Sequence, residues 1–264
     1  MNNLSLLSII NSLFPPKKLE GRKSSIEYSA TEYNWAVKGY EPYKSMLPLE
    51  NKVVLDAGCG LGGRTVYYSE KGPKSIVGID IDADRIKFAK EFADYRNVKN
   101  ISFLIANLTD IPFNSNHFDV IIMNDVLEHV RIDYLEKTLI ELKRILKPGG
   151  RLFLEFPPWT SPFAAHLYDK ISIPWCQFLF REKVLINYIE SNKTVTPYGR
   201  LSYIEHFKEL NRLNKKPFIK MMQKLNFLEV HFNQIIIKKL NFLKVLPIIN
   251  EFATNRIVGI YTKN

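Results

Sequence analysis

A glycine-rich segment, VVLDAGCGLGGRT at residues 53–65, constrains the fold of this chain more than any other. An apolar run reaches an acidic residue, Asp56, and glycines follow with G-x-G-x-x-G spacing at Gly58, Gly60 and Gly63. Such a turn between a strand and a helix lets the backbone approach a ligand closely and aims amide groups at it. The segment predicts a nucleotide-cofactor loop and leaves the identity of the nucleotide open.

Short apolar runs alternate with helical patterns from residue 51 onward. Five runs are predicted as strands: residues 52–58, 75–80, 101–107, 118–124 and 151–156. The last of the intervening helices is predicted over residues 134–147, because Pro148-Gly149-Gly150 is a helix stop signal. Strands joined through helices imply right-handed crossovers and a parallel sheet covered on both faces. Ligands of such sheets bind at the carboxyl ends of the strands.

The C-terminal part departs from this alternation. Residues 217–227 predict a helix, and residues 228–239 and 255–263 predict two closing strands that can pair antiparallel. Residues 158–216 are dense in proline and aromatics, so we expect an inserted, mainly helical lid there. The predicted fold is α/β: a doubly wound, mostly parallel seven-stranded sheet with an antiparallel last strand. Residues 50–157 and 217–264 would form its core.

Residues 1–49 are predicted as a separate N-terminal helical segment. Leu4, Leu7, Ile10 and Phe14 recur at helical spacing, so a short amphipathic helix should pack on the domain or cover a pocket. Weak contact with a membrane surface is the alternative. The segment lacks the features of a secretory signal, and no apolar run approaches the ~20 residues that cross a bilayer.

Charge and cysteine usage narrow the classes of partner. The formal net charge is +10, but the lysines are scattered and form no long basic run with interleaved aromatics, so nucleic acid is not expected. Two cysteines, Cys59 and Cys176, are too few for a disulfide framework or a metal site. We therefore expect a cytoplasmic protein without a metal.

Several segments, in the same order along the chain, resemble the class I S-adenosylmethionine (SAM)-dependent methyltransferases, whose sheet is Rossmann-like. VLDAGCGLG is similar to their first motif and implies that Gly58, Cys59 and Gly60 line the cofactor. The resemblance places Asp56 near the cationic amino-acid end of SAM, where a carboxylate is favoured. VGIDID is similar to the second motif, in which Asp80 would accept hydrogen bonds from the ribose hydroxyls. An NAD enzyme could use Asp80 in the same way.

The segment NLTDIPFNSNHFDVIIMNDVLEHV carries the resemblance furthest. Where the family often has an aspartate that takes the adenine amino group, this chain has Asn107, whose amide oxygen can still accept. Leu108 and Ile81 would flank the adenine ring, and Asn124 would face the methionine moiety. The resemblance covers residues 50–157 by motif and residues 217–263 by topology alone.

Two histidines are candidate catalytic bases. His129 lies in a D-V-L-E-H stretch that is common in the family, where Glu128 and His129 often shape the loop after the fourth strand. His166 lies in the lid, where an acceptor must bind. A neutral imidazole at either position could remove a proton from a hydroxyl acceptor.

The predicted function is methyl transfer from SAM, with S-adenosylhomocysteine as product, to a small or medium-sized acceptor. O-methylation of a metabolite or glycan is the first hypothesis, and C-methylation of a lipid quinone is the second. An NAD-dependent oxidoreductase is disfavoured by Asp56 and by the lack of a recognisable hydride-transfer site. A non-catalytic SAM-binding protein is the remaining alternative. The acceptor and the oligomeric state are not predicted.

Overall fold

Seven strands form one sheet in the computed structural model, which describes residues 3–14, 24–191, 203–237 and 247–264. The strands are β1 (Val53–Ala57), β2 (Ser75–Asp80), β3 (Ile101–Ile105), β4 (Phe118–Asn124), β5 (Leu146–Phe156), β6 (Leu228–Ile236) and β7 (Thr254–Thr262). Their order is β3-β2-β1-β4-β5-β7-β6, with β1 to β5 parallel and β7 antiparallel to both its neighbours. The predicted fold class, including the antiparallel last strand, is confirmed.

Ten helices accompany the sheet within the described ranges. They are α1 (Asn3–Leu13), α2 (Ser25–Tyr40), α3 (Gly63–Ser69), α4 (Ala83–Tyr95), α5 (Ile132–Ile145), α6 (Cys176–Leu179), α7 (Glu182–Ser191), α8 (Tyr203–Glu209), α9 (Lys215–Lys224) and α10 (Pro247–Ala253). Two 3-10 turns, at Glu41–Tyr43 and Leu127–His129, interrupt the connections.

Successive residues of the central strands point to opposite faces of the sheet. Leu55 and Ile121 belong to an apolar core with α5 and α9, whereas Val54 and Ile122 belong to a second core with α2 and α3. Burial on both faces explains why these strands are continuous apolar runs in the sequence.

One helix boundary differs from the prediction. The helix expected to run to residue 147 ends at Ile145, and β5 begins at Leu146. The physical reason is that Leu146 pairs with Phe118 at the start of β4. Ladder pairing therefore takes over before Pro148, and the strand runs through the two glycines that were expected to form only a turn.

The two helices of the N-terminal segment pack on different parts of the molecule. Helix α1 packs on the lid, with Leu7 buried in the lid core and Asn11 donating to the carbonyl of Lys170 at 2.7 Å. Helix α2 packs on the sheet core instead. Within the lid, residues 157–175 form turns without a helix. In the described ranges we find no helix that is both long and apolar enough to cross a membrane. Residues 238 and 239 of the predicted strand lie outside the described residues.

Candidate cofactor and acceptor site

The glycine loop follows β1 at the point where the order of the strands reverses, between β1 and β4. The amides of Gly58 and Cys59 both donate to the carbonyl of Ile79 at 2.8 Å, which ties the loop to the end of β2. Gly58 and Gly60 have φ angles of 80° and 55°, a region that L side chains rarely adopt. The loop is therefore a tightly turned backbone cradle at the switch point, where ligands of doubly wound sheets bind.

Asp80 closes one side of this cradle at the end of β2. One carboxylate oxygen accepts from the Gly60 amide at 3.1 Å, and the other accepts from the Asp82 amide at 2.9 Å. Each oxygen has a second lone pair. Asp80 is thus oriented by the backbone and keeps acceptor capacity, and its contact with the ribose diol stays a prediction.

Two carboxyl groups lie on either side of the loop, one buried and one half-buried. Asp56 is 2% exposed and accepts from the Thr65 hydroxyl at 2.6 Å. Glu32, from α2, accepts from the Gly63 amide at 3.1 Å. Burial raises the pKa of Asp56 to about 6 and that of Glu32 to about 7. Carboxyls held in this way favour a cationic ligand, so the cradle fits the amino-acid end of SAM and not a pyrophosphate.

Sequence reasoning missed Glu32. Helix α2 lies across the glycine loop, with the Ser29 hydroxyl 2.9 Å from the carbonyl of Leu61. A Cβ added at Gly63 would lie 1.9 Å from the carbonyl oxygen of Ser29, so Gly63 serves the close approach of this helix. The only signal in the sequence is that Ser29 and Glu32 are three residues apart and share a helix face.

The opposite end of the cradle is apolar and open. Ile81 is 65% exposed and Ile105 is 59% exposed, at the carboxyl ends of β2 and β3, while Leu108 is half-buried. Exposed aliphatic side chains there provide a surface for a flat aromatic ring. Asn107 is also exposed, but its amide oxygen already accepts from the Thr109 amide and hydroxyl, both at 3.0 Å. Contact of Asn107 with an adenine amine stays a prediction.

Asn124 is buried, with protein partners on both ends of its amide. Its oxygen accepts from the Tyr68 hydroxyl at 2.9 Å, and its nitrogen donates to Glu155 at 2.8 Å. These partners come from α3 and β5. The predicted contact of Asn124 with the methionine moiety therefore stays a prediction, and the observed role is to join α3, β4 and β5.

Asp125 follows Asn124 with a left-handed φ of 53°. Its carboxylate pairs with Arg64 at 2.6 Å and with Arg256. The two guanidinium groups hold the pKa of Asp125 well below its usual range despite its burial. This ion-pair network fixes the start of the loop after β4.

Both histidines that the sequence nominates lie together with a third. His129 ends the 3-10 turn after β4, His166 lies in a lid turn, and His206 lies on α8. The centroid of the His129 ring lies 4.9 Å from that of His166 and 4.6 Å from that of His206. We call these three residues the histidine cluster. His206 was missed because no motif links it to the other two.

Burial determines the protonation of the cluster. It lowers the pKa of His166 to about 4, that of His129 well below its usual value, and that of His206 as well. All three imidazoles are therefore neutral near pH 7. A neutral imidazole can accept a proton or ligate a metal.

One member of the cluster, His129, lies on the loop that touches the cofactor cradle. Val126 packs against Gly58 so closely that a Cβ on Gly58 would lie 2.4 Å from a Val126 methyl. The turn Leu127–His129 starts with the next residue. The sequence-predicted cofactor residues and the predicted bases thus meet at one end of the sheet.

Comparisons with known proteins agree with this geometry. Residues 55–154 match the family model of the methyltransferase domain. The chain is 31% identical over 166 residues to the mitochondrial ubiquinone biosynthesis O-methyltransferase of Dictyostelium discoideum, covering 55% of this chain and 50% of that protein. It is 34% identical over 147 residues to the demethylmenaquinone methyltransferase of Lactococcus lactis subsp. lactis, covering 53% and 58%.

A structural relative extends the likeness of fold to most of the chain. It is the geranyl diphosphate C-methyltransferase of Streptomyces coelicolor, solved with Mg²⁺, geranyl diphosphate and S-adenosyl-L-homocysteine. The TM-score is 0.60 at 14% identity, covering 95% of this chain and 91% of that one. The chain spans about half the length of the two curated relatives named above. The chain thus contains a methyltransferase domain at residues 55–154, and its fold resembles that of the SAM-dependent methyltransferases.

Proposed function

We propose that this protein transfers a methyl group from SAM to a hydroxyl oxygen of a small or medium-sized acceptor, such as a metabolite or a glycan. The observation that carries the proposal is the cluster of three neutral, half-buried histidines, of which His129 lies on the loop that touches the glycine cradle. A hydroxyl is a poor nucleophile until its proton is removed, and a positioned imidazole performs that step.

The residues of the cradle hold SAM and exclude water from one side of it. Asp56 and Glu32 lie where a cationic amino-acid end is favoured, Asp80 can accept from the ribose, and Ile81 offers an apolar surface to the adenine. When bound, SAM supplies a methyl group that is already activated by the sulfonium. What remains for the protein is alignment, desolvation and proton removal.

His166 is the better placed of the two predicted bases for contact with an acceptor. It belongs to the lid and has a left-handed φ of 54°, which is uncommon for a residue with a side chain. Backbone strain of this kind is frequent at functional positions. His129 lies on the turn after β4, with its ring centroid 4.9 Å from that of His166 and 4.6 Å from that of His206.

C-methylation of a lipid quinone is the second candidate. The demethylmenaquinone methyltransferase, at 34% identity, favours it. So does the row of exposed apolar side chains on α1 and just after it: Leu6, Ile9, Leu13 and Phe14. A lipid acceptor would need such a surface near the lid. We keep a cytoplasmic location within the proposal, supported by two cysteines that are both buried and free.

Labelled SAM tests the proposal. The purified chain is incubated with methyl-labelled SAM and a panel of phenols, sugars and demethylated quinones, and products are identified by mass spectrometry and NMR. Oxygen-bound methyl in the product supports the first candidate, and ring-carbon methyl supports the second. Binding of S-adenosylhomocysteine without transfer to any member of the panel would favour a non-catalytic SAM-binding protein.

A further inference from the structure

Glu128 is a buried charged residue that the function described so far does not use. It is 5% exposed, and neither carboxylate oxygen has a hydrogen-bond partner in another described residue. An unpartnered carboxylate at this depth is costly to a fold unless something neutralises it. Burial, with Asp125 nearby, raises the pKa of Glu128 well above its usual value.

The groups nearest to this carboxylate are histidines. One oxygen lies 3.8 Å from Nε2 of His129 and 3.9 Å from Nε2 of His166. These distances are too long for hydrogen bonds. On the other side of His129, Nδ1 lies 3.0 Å from Nε2 of His206. One nitrogen from each of the three imidazoles can be chosen so that all lie within 4.8 Å of one another.

The spacing of these atoms is close to that of a metal site. Tetrahedral zinc with bonds of 2.0–2.1 Å to nitrogen places its ligand atoms about 3.3 Å apart. The observed separations, from 3.0 to 4.8 Å, bracket this value. One ion can take only one nitrogen of His129, so the ring must turn either Nδ1, which faces His206, or Nε2, which faces Glu128, toward the shared ion.

The backbone around the cluster is fixed by contacts that do not involve the histidines. Asn211, just after α8, donates to the carbonyls of Leu127 and Val130 at 2.7 and 2.9 Å. The backbone amide of Asn211 donates to the backbone carbonyl of Glu128 at 3.0 Å. The segment that carries His206 is therefore attached to the turn that carries Glu128 and His129.

We propose that Glu128 and the histidine cluster bind one divalent transition-metal ion of the zinc type. Three imidazoles and one carboxylate suit Zn²⁺, Co²⁺, Ni²⁺ or Fe²⁺, whereas Mg²⁺ and Ca²⁺ prefer sites made of oxygen. The ion would give the Glu128 carboxylate a direct ionic partner and would join the turn after β4 to two separate parts of the lid. This departs from our sequence-based expectation of no metal, which counted cysteines and overlooked histidines far apart in the chain.

The metal also gives the proposed methyl transfer a second route, and this extension rests on the proposed function. An acceptor hydroxyl that added to the metal as a fifth ligand would have a lowered pKa and would release its proton to solvent before methyl transfer. His129 and His166 would then be ligands and not proton acceptors. The two routes respond differently to a chelator. Methyl transfer that uses a free imidazole base should continue when the metal is removed, whereas transfer to a metal-bound acceptor should stop.

Metal binding is tested on the full chain, stripped with EDTA and dialysed. Titration with Zn²⁺ is followed by calorimetry, and Co²⁺ is followed by its visible absorption, which reports four-coordinate geometry. We expect one ion per chain. Loss of one ligand in His206→Asn or Glu128→Gln should weaken zinc binding more than about 100-fold, because even outer-shell partners of a metal cost about 10–100-fold.

Controls separate a metal site from a fold requirement. His117→Asn removes an exposed histidine outside the cluster and should leave zinc affinity unchanged. Metal-free Glu128→Gln should melt close to metal-free wild type, since it exchanges one uncharged buried polar group for another of similar size, although it binds zinc more weakly. The proposal is overturned if folded wild type takes up no stoichiometric Zn²⁺, or if His206→Asn and Glu128→Gln bind it as wild type does. Zinc uptake without any methyl transfer would instead leave the site standing and reject the proposed function.

Discussion

The cofactor cradle and the histidine cluster differ in how the chain assembles them. Asp56, the glycine loop and Gly63 lie within eight consecutive positions, and one helix, α2, completes the cradle from outside. His129, His166 and His206 come from three segments that meet only in the folded protein. The cradle is held by backbone amides, whereas the cluster consists of half-buried side chains that contact one another. A site fixed by its backbone is readable from sequence, and a site fixed by tertiary packing is not.

The largest effect on turnover should come from a substitution in the lid that leaves the cofactor cradle unchanged. His166→Asn should lower kcat about 100-fold or more, because loss of a positioned base or of a metal ligand for the acceptor removes a contribution of about 10²–10⁴. The dissociation constant for S-adenosylhomocysteine should stay within about twofold, since a shift of that size is worth only about 0.4 kcal/mol. Steady-state kinetics and calorimetry measure the two quantities. Equal loss of turnover in His117→Asn would show that the effect is not specific to the cluster.

A substitution in the cofactor cradle should instead weaken the binding of S-adenosylhomocysteine. Asp80→Asn removes the charge that Gly60 and Asp82 orient, and it should weaken S-adenosylhomocysteine binding about 10–100-fold, the range for hydrogen bonds to charged groups. Asp84→Asn, an exposed carboxylate nearby on α4, is the matched control and should bind normally. Calorimetry measures the affinity of each variant for S-adenosylhomocysteine. Binding by Asp80→Asn that equals that of wild type would mean that the ribose does not contact Asp80.

The packing of α2 on the loop can be tested by stability. Gly63→Ala forces a methyl group against the carbonyl of Ser29 and should cost roughly 1–3 kcal/mol, as overpacking does. Gly39→Ala, later in α2, meets only Glu155 at 3.6 Å and should be neutral or slightly stabilising. Urea unfolding compares the pair. If both variants unfold alike, α2 does not need the close approach at Gly63.

The smallest expected effect is a pH dependence confined to the cradle. Because the pKa values of Asp56 and Glu32 are raised to about 6 and about 7, both carboxyls ionise as the pH rises from 5 to 8. Binding of cationic SAM should tighten over that interval, by up to about tenfold for a one-unit shift in pKa. Glu32→Gln should flatten the upper part of the profile. A SAM affinity that falls with rising pH would contradict a carboxylate cradle.

Much of the fold followed from sequence because the strands are apolar on both faces and separated by helical patterns. The exception at residues 145–150 arose where strand pairing overrode a helix stop signal. Asp56 and Asp80 were found because they adjoin glycines in a fixed order. Glu32 was not predicted from sequence, because its contact with the glycine loop depends on how helix α2 crosses that loop. His206 was not, because only tertiary contacts bring α8 to the turn after β4.

A crystal structure of the full chain with S-adenosylhomocysteine tests the central claim most directly. The account predicts the amino-acid end of the ligand between Asp56 and Glu32, its ribose on Asp80, and its sulfur directed toward the histidine cluster. An imidazole of the cluster, or a metal bound there, should lie within roughly 3–5 Å of where the acceptor oxygen meets the methyl. A sulfur that points away from His129 and His166, with no route from it to the cluster, would contradict the account.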